Sequence, residues 1–374
     1  VGHYAGKSIL TGVLAGNDDR GMRLPRVKPE HAPHRLCDGT VRLGGALYGI
    51  ASEIADADGW AWTALGLMDG TRSPAEIVAG LRACFPVLTC EEAEDIVATL
   101  LSSGHVEDAA PEPCPELTER EKERHSRSRD YFRWVDLTPR DHGWEPQVRI
   151  KNARVVVLGL GGTGSHVAWT LAAAGVGRLH LVDPDVVELS NLNRQILYTE
   201  PDVGRLKTEV ALDRLRQVNS EIGITAEAAA VDCPGRLARL IDGFDVLALC
   251  ADRPGGPYGI QSWANRVCAE AGIPWVSGGY NGPLVSVGVF GPGGPCYECV
   301  RAGIPPRPGA DYAWPGVTGA SAGLSGHLVA HDVLALVTGV MSTPPGYFHG
   351  VMLLDPDGHV YARHPSRPEC DICS

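Results

Sequence analysis

Residues 154–208 read RVVVLGLGGTGSHVAWTLAAAGVGRLHLVDPDVVELSNLNRQILYTEPDVGRLKT. Val155-Val156-Val157-Leu158 is apolar at every position, the pattern of a strand buried on both faces. Gly159-x-Gly161-Gly162-x-Gly164 follows, then an apolar helix over about residues 165–174, then a second strand over residues 178–182 that ends at Asp183. In such a strand–loop–helix–strand unit, backbone N–H groups at the helix N-terminus cradle phosphate. Gly159, Gly161, Gly162 and Gly164 are thus candidate nucleotide contacts. By themselves they would equally suit a dinucleotide, with Asp183 near the position of a ribose-binding acid.

The residues behind Asp183 argue against hydride transfer. Asp183-x-Asp185 leads into Ser190-Asn191-Leu192-Asn193-Arg194-Gln195, and Lys207 follows. Nicotinamide chemistry has no use for this set, whereas a triphosphate does. Arg and Lys grip phosphates and offset the charge that develops on departing pyrophosphate. A further acid, Asp252, follows an apolar strand over residues 246–250, where it could hold Mg²⁺.

On these motifs, residues 150–374 resemble the ubiquitin-activating-type adenylating superfamily represented by ThiF, MoeB and MccB. The resemblance implies an α/β fold, a Rossmann-like mostly parallel sheet with helices on both faces. It implies ATP and Mg²⁺ as cofactors, with the ribose on Asp183 and Asp185 in the nucleotide-contacting set. Asn191, Arg194 and Lys207 would contact phosphates, Asp252 would bind the metal, and Arg194, Lys207 and Asp252 would carry the catalysis. Cys250-Ala251-Asp252-Arg253-Pro254 departs from the Asp-Asn pair common in ThiF and MoeB. With Gly278-Gly279-Tyr280-Asn281 and Cys296-Tyr297-Glu298-Cys299, it looks more like the MccB branch, nearer to peptide modification than to sulfur-carrier activation.

The chain has 11 cysteines, and four form two C-x-x-C pairs, Cys296/Cys299 and Cys370/Cys373. Two such knuckles make a closed tetrahedral zinc site, structural because it leaves no position for water. Cys233, Cys250 and Cys268 read as small buried hydrophobes. With no signal-peptide pattern at the N-terminus, the expected compartment is a reducing cytoplasm. No cysteine lies between Cys299 and Cys370. In superfamily members that form a thioester, the thiol sits in that interval, so the resemblance implies none on the loop that carries Trp314. The adenylate would be captured by a nucleophile from the substrate or a partner.

With 374 residues and 44 % hydrophobic content, the chain can bury a large core plus a smaller module. A formal charge of −12 argues against nucleic acid as a partner. The longest late apolar stretch, residues 328–341, is broken by His331 and Asp332 and reads as too short to span a membrane.

Residues 1–34 lack periodicity and read as a flexible arm. Residues 35–108 read as a small winged helix: strand-like pieces at 40–43 and 46–50, a helix with Trp60, Ala64, Leu65 and Leu67, two capping boxes, and a last strand near residues 105–107. The boxes are Ser73-Pro74-Ala75-Glu76 and Thr89-Cys90-Glu91-Glu92. Leu67-x-Asp69-Gly70-Thr71-Arg72-Ser73-x-x-Glu76-Ile77 resembles the PqqD-like leader-peptide recognition domain of ribosomal-peptide maturation proteins. That resemblance implies a precursor peptide whose leader adds a strand to the sheet edge. Residues 109–150 read as a linker with an arginine-bearing, solvated helix. Within it Arg124-His125-Ser126-Arg127 resembles the superfamily's Arg-Tyr-Ser-Arg element, with His125 in place of tyrosine. By that resemblance Arg127 would reach the γ-phosphate of the other subunit in a homodimer.

Two functions follow as expectations. The first is ATP-dependent adenylation of a carboxylate on a ribosomally made precursor peptide, docked beside Gly279 and Asn281. The second is a non-catalytic partner that binds the leader and presents the precursor to a YcaO-type cyclodehydratase. Sulfur-carrier activation is a third idea, one that leaves the N-terminal module without a role.

Overall fold

Arg154–Leu158 is the strand on which the larger unit is assembled, with four of its five residues buried. The computed structural model describes residues 22–45, 50–110, 114–140, 142–256, 258–304, 316–340, 343–355 and 357–373. The chain divides into residues 1–146 and residues 147–374.

The larger unit is built on one eight-stranded sheet. From one edge to the other run His359–Ala362, Tyr347–Met352, Leu284–Phe290, Trp275–Asn281, Val246–Leu249, Arg154–Leu158, Arg178–Val182 and Gly223–Glu227. The last five are mutually parallel, and the first three continue as an antiparallel meander. Side chains alternate across the pleat. Val156, Leu158, Leu247 and Leu249 pack with residues of the helices Pro234–Ile241 and Ile260–Ala271, which leaves Val155 and Val157 to the other face. There the helices Gly162–Ala174 and Gly319–Thr338 pack together. The expected α/β sheet with helices on both faces is the observed architecture.

Glycines let these last two helices approach closely. A Cβ on Gly326 would lie 2.4 Å from the His166 Cβ, and one on Gly278 would lie 2.3 Å from Val329 of the overlying helix. Gly319–Thr338 starts earlier than the apolar stretch read from residues 328–341, because its first two turns are built from Gly, Ala and Ser with the single large residue Leu324. Its 20 residues are long and apolar enough to cross a membrane by length and composition alone. Its packing is that of a core helix: Asp332 is buried and accepts a 2.6 Å hydrogen bond from His349 Nε2.

In the smaller unit, residues 22–34 are not loose. Pro25–Val27 pairs antiparallel with Val106–Asp108, and residues 1–21 lie outside the described residues. His34–Arg35, Val41–Leu43 and Ser52–Ile54 form a second small sheet. The third strand comes later than the expected 46–50 and pairs as Val41↔Ile54 and Leu43↔Ser52, with Val41 and Leu43 in the core and Ile54 packed against it. Residues 46–49 lie outside the described residues. Three helices, Trp60–Leu67, Pro74–Cys84 and Cys90–Ser102, complete the core, and both capping boxes are formed. The charged stretch after residue 118 is two helices, Glu119–Arg124 and Ser126–Val135, divided at His125. Burial of Glu121, His125 and Phe132 makes it a packed element rather than the solvated helix expected.

A buried chain of neutral groups crosses this unit. His31 Nε2 lies 2.7 Å from the Trp134 carbonyl, which can only accept, so Nε2 carries the proton. His31 Nδ1 must then accept from His105 Nδ1 at 2.9 Å, and His105 Nε2 accepts the Ser52 hydroxyl at 2.9 Å. Burial holds His105 down to about 4, helped by the charge of Lys28, and depresses His31 as well. Both folded values lie below the unfolded one, so the stability this pair contributes is present above pH ~6.5 and is lost as pH falls through about 4. Acidification from pH 7 to 5 should withdraw about 2 kcal/mol through His105. Thermal unfolding across that range checks it. The His31→Gln/His105→Gln variant should show a shallower fall than the parent, and an unchanged slope refutes the assignment.

Candidate active site

The glycine loop lies at the carboxyl end of the central strand, where parallel order runs outward in both directions. Such switch points are where open α/β sheets bind ligands. Gly159 has φ +94°, and a Cβ there would meet the Cys250–Ala251 backbone at 2.8 Å. A Cβ on Gly164 would lie 1.8 Å from the Gly159 carbonyl. These two glycines fold the loop back on its own helix. Gly161 caps the helix and has open space where a Cβ would be, with only Gln195 Nε2 at 3.9 Å. Helical N–H groups in the first turn have no intrahelical partner, so this opening is a place for phosphate oxygens.

Asp183 secures the loop. Its Oδ2 accepts the Leu160 N–H at 2.6 Å, and its Oδ1 accepts the Asp185 N–H at 2.9 Å. Burial raises its pKa, and Lys207 opposes that rise. Lys207 is itself buried; its Nζ donates to Asp185 Oδ2 at 2.9 Å and lies 3.9 Å from Asp183. The main chain doubles this contact, since Lys207 N–H donates to the Asp185 carbonyl and Val187 N–H to that of Arg205. Residues 186–206 are therefore an excursion pinched at its neck, which is how two residues 22 apart in sequence face each other.

Asn191 and Arg194 ride on that excursion. Asn191 is buried and caps its own turn by accepting the Glu188 N–H at 3.1 Å. Arg194 Nη1 donates to the Ser190 carbonyl at 2.8 Å and to Asn193 Oδ1 at 2.9 Å. Beside it a cavity of about 160 Å³ is lined by His166, Arg194, Gln195, Tyr198 and Gly319, among others. Tyr198 donates its hydroxyl to the Leu160 carbonyl at 3.0 Å, tying the excursion to the glycine loop. Across the loop, the Tyr280 hydroxyl reaches within 2.6 Å of where a Gly162 Cβ would lie, so Tyr280 borders the start of the same helix.

Asp252 is exposed just beyond Val246–Leu249, and its open carboxylate suits a cation that keeps most of its water. Arg127 is exposed on Ser126–Val135 in the smaller unit. Trp314 lies outside the described residues. Burial pushes the Cys250 and Cys268 thiols up to about 12, as unreactive groups require. Cys233 is exposed, contrary to expectation, because it precedes Pro234 at the start of a helix. Cys37, Cys84 and Cys90 are exposed too.

Cys296, Cys299, Cys370 and Cys373 converge, with all four sulfurs within 4.8 Å of one another. The Cys296–Cys370 and Cys299–Cys373 sulfurs are 3.7 Å apart. That is far too long for a disulfide. A tetrahedral ion with Zn–S bonds of ~2.3 Å would set its sulfurs about 3.8 Å apart, so the donor set could hold zinc. Against the effect of its burial, backbone N–H groups of Ile372 and Cys373 draw Cys370 down to about 6. The Arg367 N–H points at Cys299 Sγ from 3.3 Å.

Comparison with known proteins settles the family. Residues 135–372 match the model of the ThiF family. The chain belongs to the ThiF family. It is 37 % identical over 284 residues to the adenylyltransferase and sulfurtransferase MOCS3 of Bos taurus, a match that covers 74 % of the chain and 60 % of that protein. The chain thus spans about three-fifths of the bovine relative's length. Its fold is similar to that of E. coli MccB, with TM-score 0.73 at 21 % identity over 94 % of this chain and 96 % of that one. Crystals of E. coli MccB with ATP give TM-score 0.68 at 21 % identity, covering 94 % of this chain and 99 % of that one.

Three residues of this ThiF-family site were not read from the sequence. Tyr198, Gln195 and His166 sit within or beside apolar runs, where a lone polar residue signals nothing until its partners are known. The cysteine cluster, by contrast, announces itself by spacing. Purified protein should contain one zinc ion per chain. A strong chelator or Cys370→Ser should remove it and lower the unfolding temperature, as loss of a structural metal does. Elemental analysis with thermal melting checks both, and a metal-free protein of unchanged stability would exclude a zinc site here.

Proposed function

We propose that this chain adenylates a carboxylate of a ribosomally made precursor peptide, using ATP and releasing pyrophosphate. The observation that carries the reading is the meeting of the glycine loop, the Lys207–Asp185–Asp183 cluster and the Arg194-bearing excursion at one sheet end. A substrate carboxylate, ionised at neutral pH and needing no general base, enters beside Gly279 and Asn281. Its oxygen bonds to the α-phosphorus as the bond to the β-phosphate oxygen breaks, giving acyl-AMP and pyrophosphate. Lys207 keeps donors beyond the one given to Asp185, and these, with Arg194, offset charge on the departing group. Asp183 holds the ribose side, and Asn191 holds the turn that aims Arg194. Mg²⁺, on Asp252, would neutralise triphosphate charge.

The likeness to MccB covers 94 % of this chain and so reaches the smaller unit, and MccB has been crystallised with N-formylated MccA. On that ground residues 35–108 serve as the leader-binding module, with Ser52–Ile54 as an edge strand that can be extended. We place Arg127 in the site of a partner copy in a homodimer. A zinc ion on Cys296, Cys299, Cys370 and Cys373 would be structural. A nucleophile from the substrate or from another protein captures the adenylate.

Activation of a ubiquitin-like or sulfur-carrier protein is the second reading, and the 37 % identity to MOCS3 favours it. Pyrophosphate exchange into ATP separates the possibilities. With a short precursor peptide the exchange should be brisk, and Arg194→Ala or Lys207→Ala should slow it on the order of 10²-fold or more. Exchange only with a ubiquitin-like carrier supports the second reading. No ATP binding by calorimetry would leave a leader-presenting role beside a YcaO-type enzyme.

A further inference from the structure

His166 lies one turn past the glycine loop on Gly162–Ala174 and is 93 % buried, with 7 % relative exposure. Burial lowers its pKa and the neighbouring His327 adds to the effect, so the ring is neutral near pH 7 and carries one N–H. Its Nε2 is 3.3 Å from the Arg194 carbonyl. A carbonyl only accepts, so the proton is on Nε2. Nδ1, also buried, has no hydrogen-bond partner among the described residues. A buried ring that leaves one nitrogen unpaired calls for an explanation.

The surroundings supply one, because they hold the ring in place rather than satisfy it. Gly323 and Gly326 of the crossing helix leave room for it, with a Gly323 Cβ at 3.2 Å from His166 Cε1. His327 meets it edge-on at 5.3 Å and is itself oriented by Thr170 at 3.0 Å. The single N–H is thereby aimed at one acceptor, the main chain of Arg194, a residue that lines the same cavity as the ring.

We propose that His166 is a positioning residue that fixes the Arg194 segment against the helix carrying the glycine loop. It sets the distance between two phosphate-facing elements that are otherwise joined through Tyr198 and the Lys207 neck. Its effect on rate rests on the adenylation reading, while its effect on the segment does not.

Two measurements therefore run side by side on the full chain, with His166→Phe, His166→Gln and, should the Phe variant fail to fold, His166→Asn, whose shorter amide stops short of the carbonyl. Without nucleotide, amide hydrogen exchange over residues 189–196 should quicken about 10-fold in His166→Phe and return towards the parent in His166→Gln, whose amide N–H can reach the same carbonyl. Unchanged exchange in that segment overturns the proposal. With ATP, the pyrophosphate-exchange rate should fall on the order of 10-fold in His166→Phe, and His166→Phe/Arg194→Ala should be no slower than Arg194→Ala alone. Full multiplication of the two losses would show that His166 does not act through Arg194, and overturns it too. If the parent protein exchanges no pyrophosphate while the amide result holds, the adenylation reading fails and the positioning role stands.

Discussion

A buried ammonium governs the architecture of this site. Lys207 sits out of water between Asp183 and Asp185, and a charge in that position is tolerated only when it is paired. The pairing is unequal. Asp183 is buried and committed to two backbone N–H groups, whereas the Asp185 side chain keeps 63 % of its exposure. On the proposed reading, Lys207 would meet a phosphate with the donors it does not give to Asp185, leaving Asp183 and the loop that Asp183 holds undisturbed. The same contact pinches the neck of residues 186–206, so one ion pair both closes the fold locally and holds a cation beside the glycine loop. Preorganisation of this kind lets a charged group act without first rearranging.

Around that cluster, close approach does the work that bulky side chains do in an ordinary core. Gly159 against Gly164, Gly326 against His166 and Gly278 against Val329 bring loop, helix and strand together at distances no Cβ would allow. The helices Gly162–Ala174 and Gly319–Thr338 thus pack as a close pair, locked further by Thr163 Oγ1 and Ser325 Oγ at 3.1 Å. This explains a 20-residue helix of membrane-like composition that buries Ser321, Ser325 and Asp332 inside the protein and exposes His327 and His331. It also explains why the opening at Gly161 stays defined: the elements around it are not free to collapse into it.

The sheet strands and the glycine loop were legible because their signals are local. A run of Val155 to Leu158 and four glycines at fixed spacing need no knowledge of the rest of the chain. The capping boxes at Ser73 and Thr89 were legible for the same reason; that at Thr118 follows the same pattern but sits in a run of charge that masked it. What escaped depends on distant pairing. Pro25–Val27 becomes a strand only because Val106–Asp108, 80 residues on, offers its edge at registers such as Arg26↔Glu107. The break at His125 arises where the chain turns to bury Phe132, and the exposure of Cys233 follows from its helix start. His166 carried no readable signal, since its partner carbonyl belongs to the backbone of Arg194 and a main-chain acceptor has no letter in the sequence.

Adenylation of a peptide and activation of a carrier protein need the same first step, and so the same groups around Gly161, Lys207 and Arg194. The nucleotide site cannot distinguish them; the discriminating features must lie where the acyl group is delivered and where it is received. On the receiving side, no cysteine falls between Cys299 and Cys370, so no thioester can form on that interval. The smaller unit has its own core, short edge strands and a buried neutral histidine chain. The Ser52 hydroxyl at one end of that chain belongs to an edge strand, and the Trp134 carbonyl at the other belongs to the helix of Arg127. A polypeptide added to that edge would meet a strand whose hydrogen bonding already extends to the arginine-bearing helix. On the proposed reading, such an edge would take an extended peptide, because an edge strand recognises backbone first and side chains second.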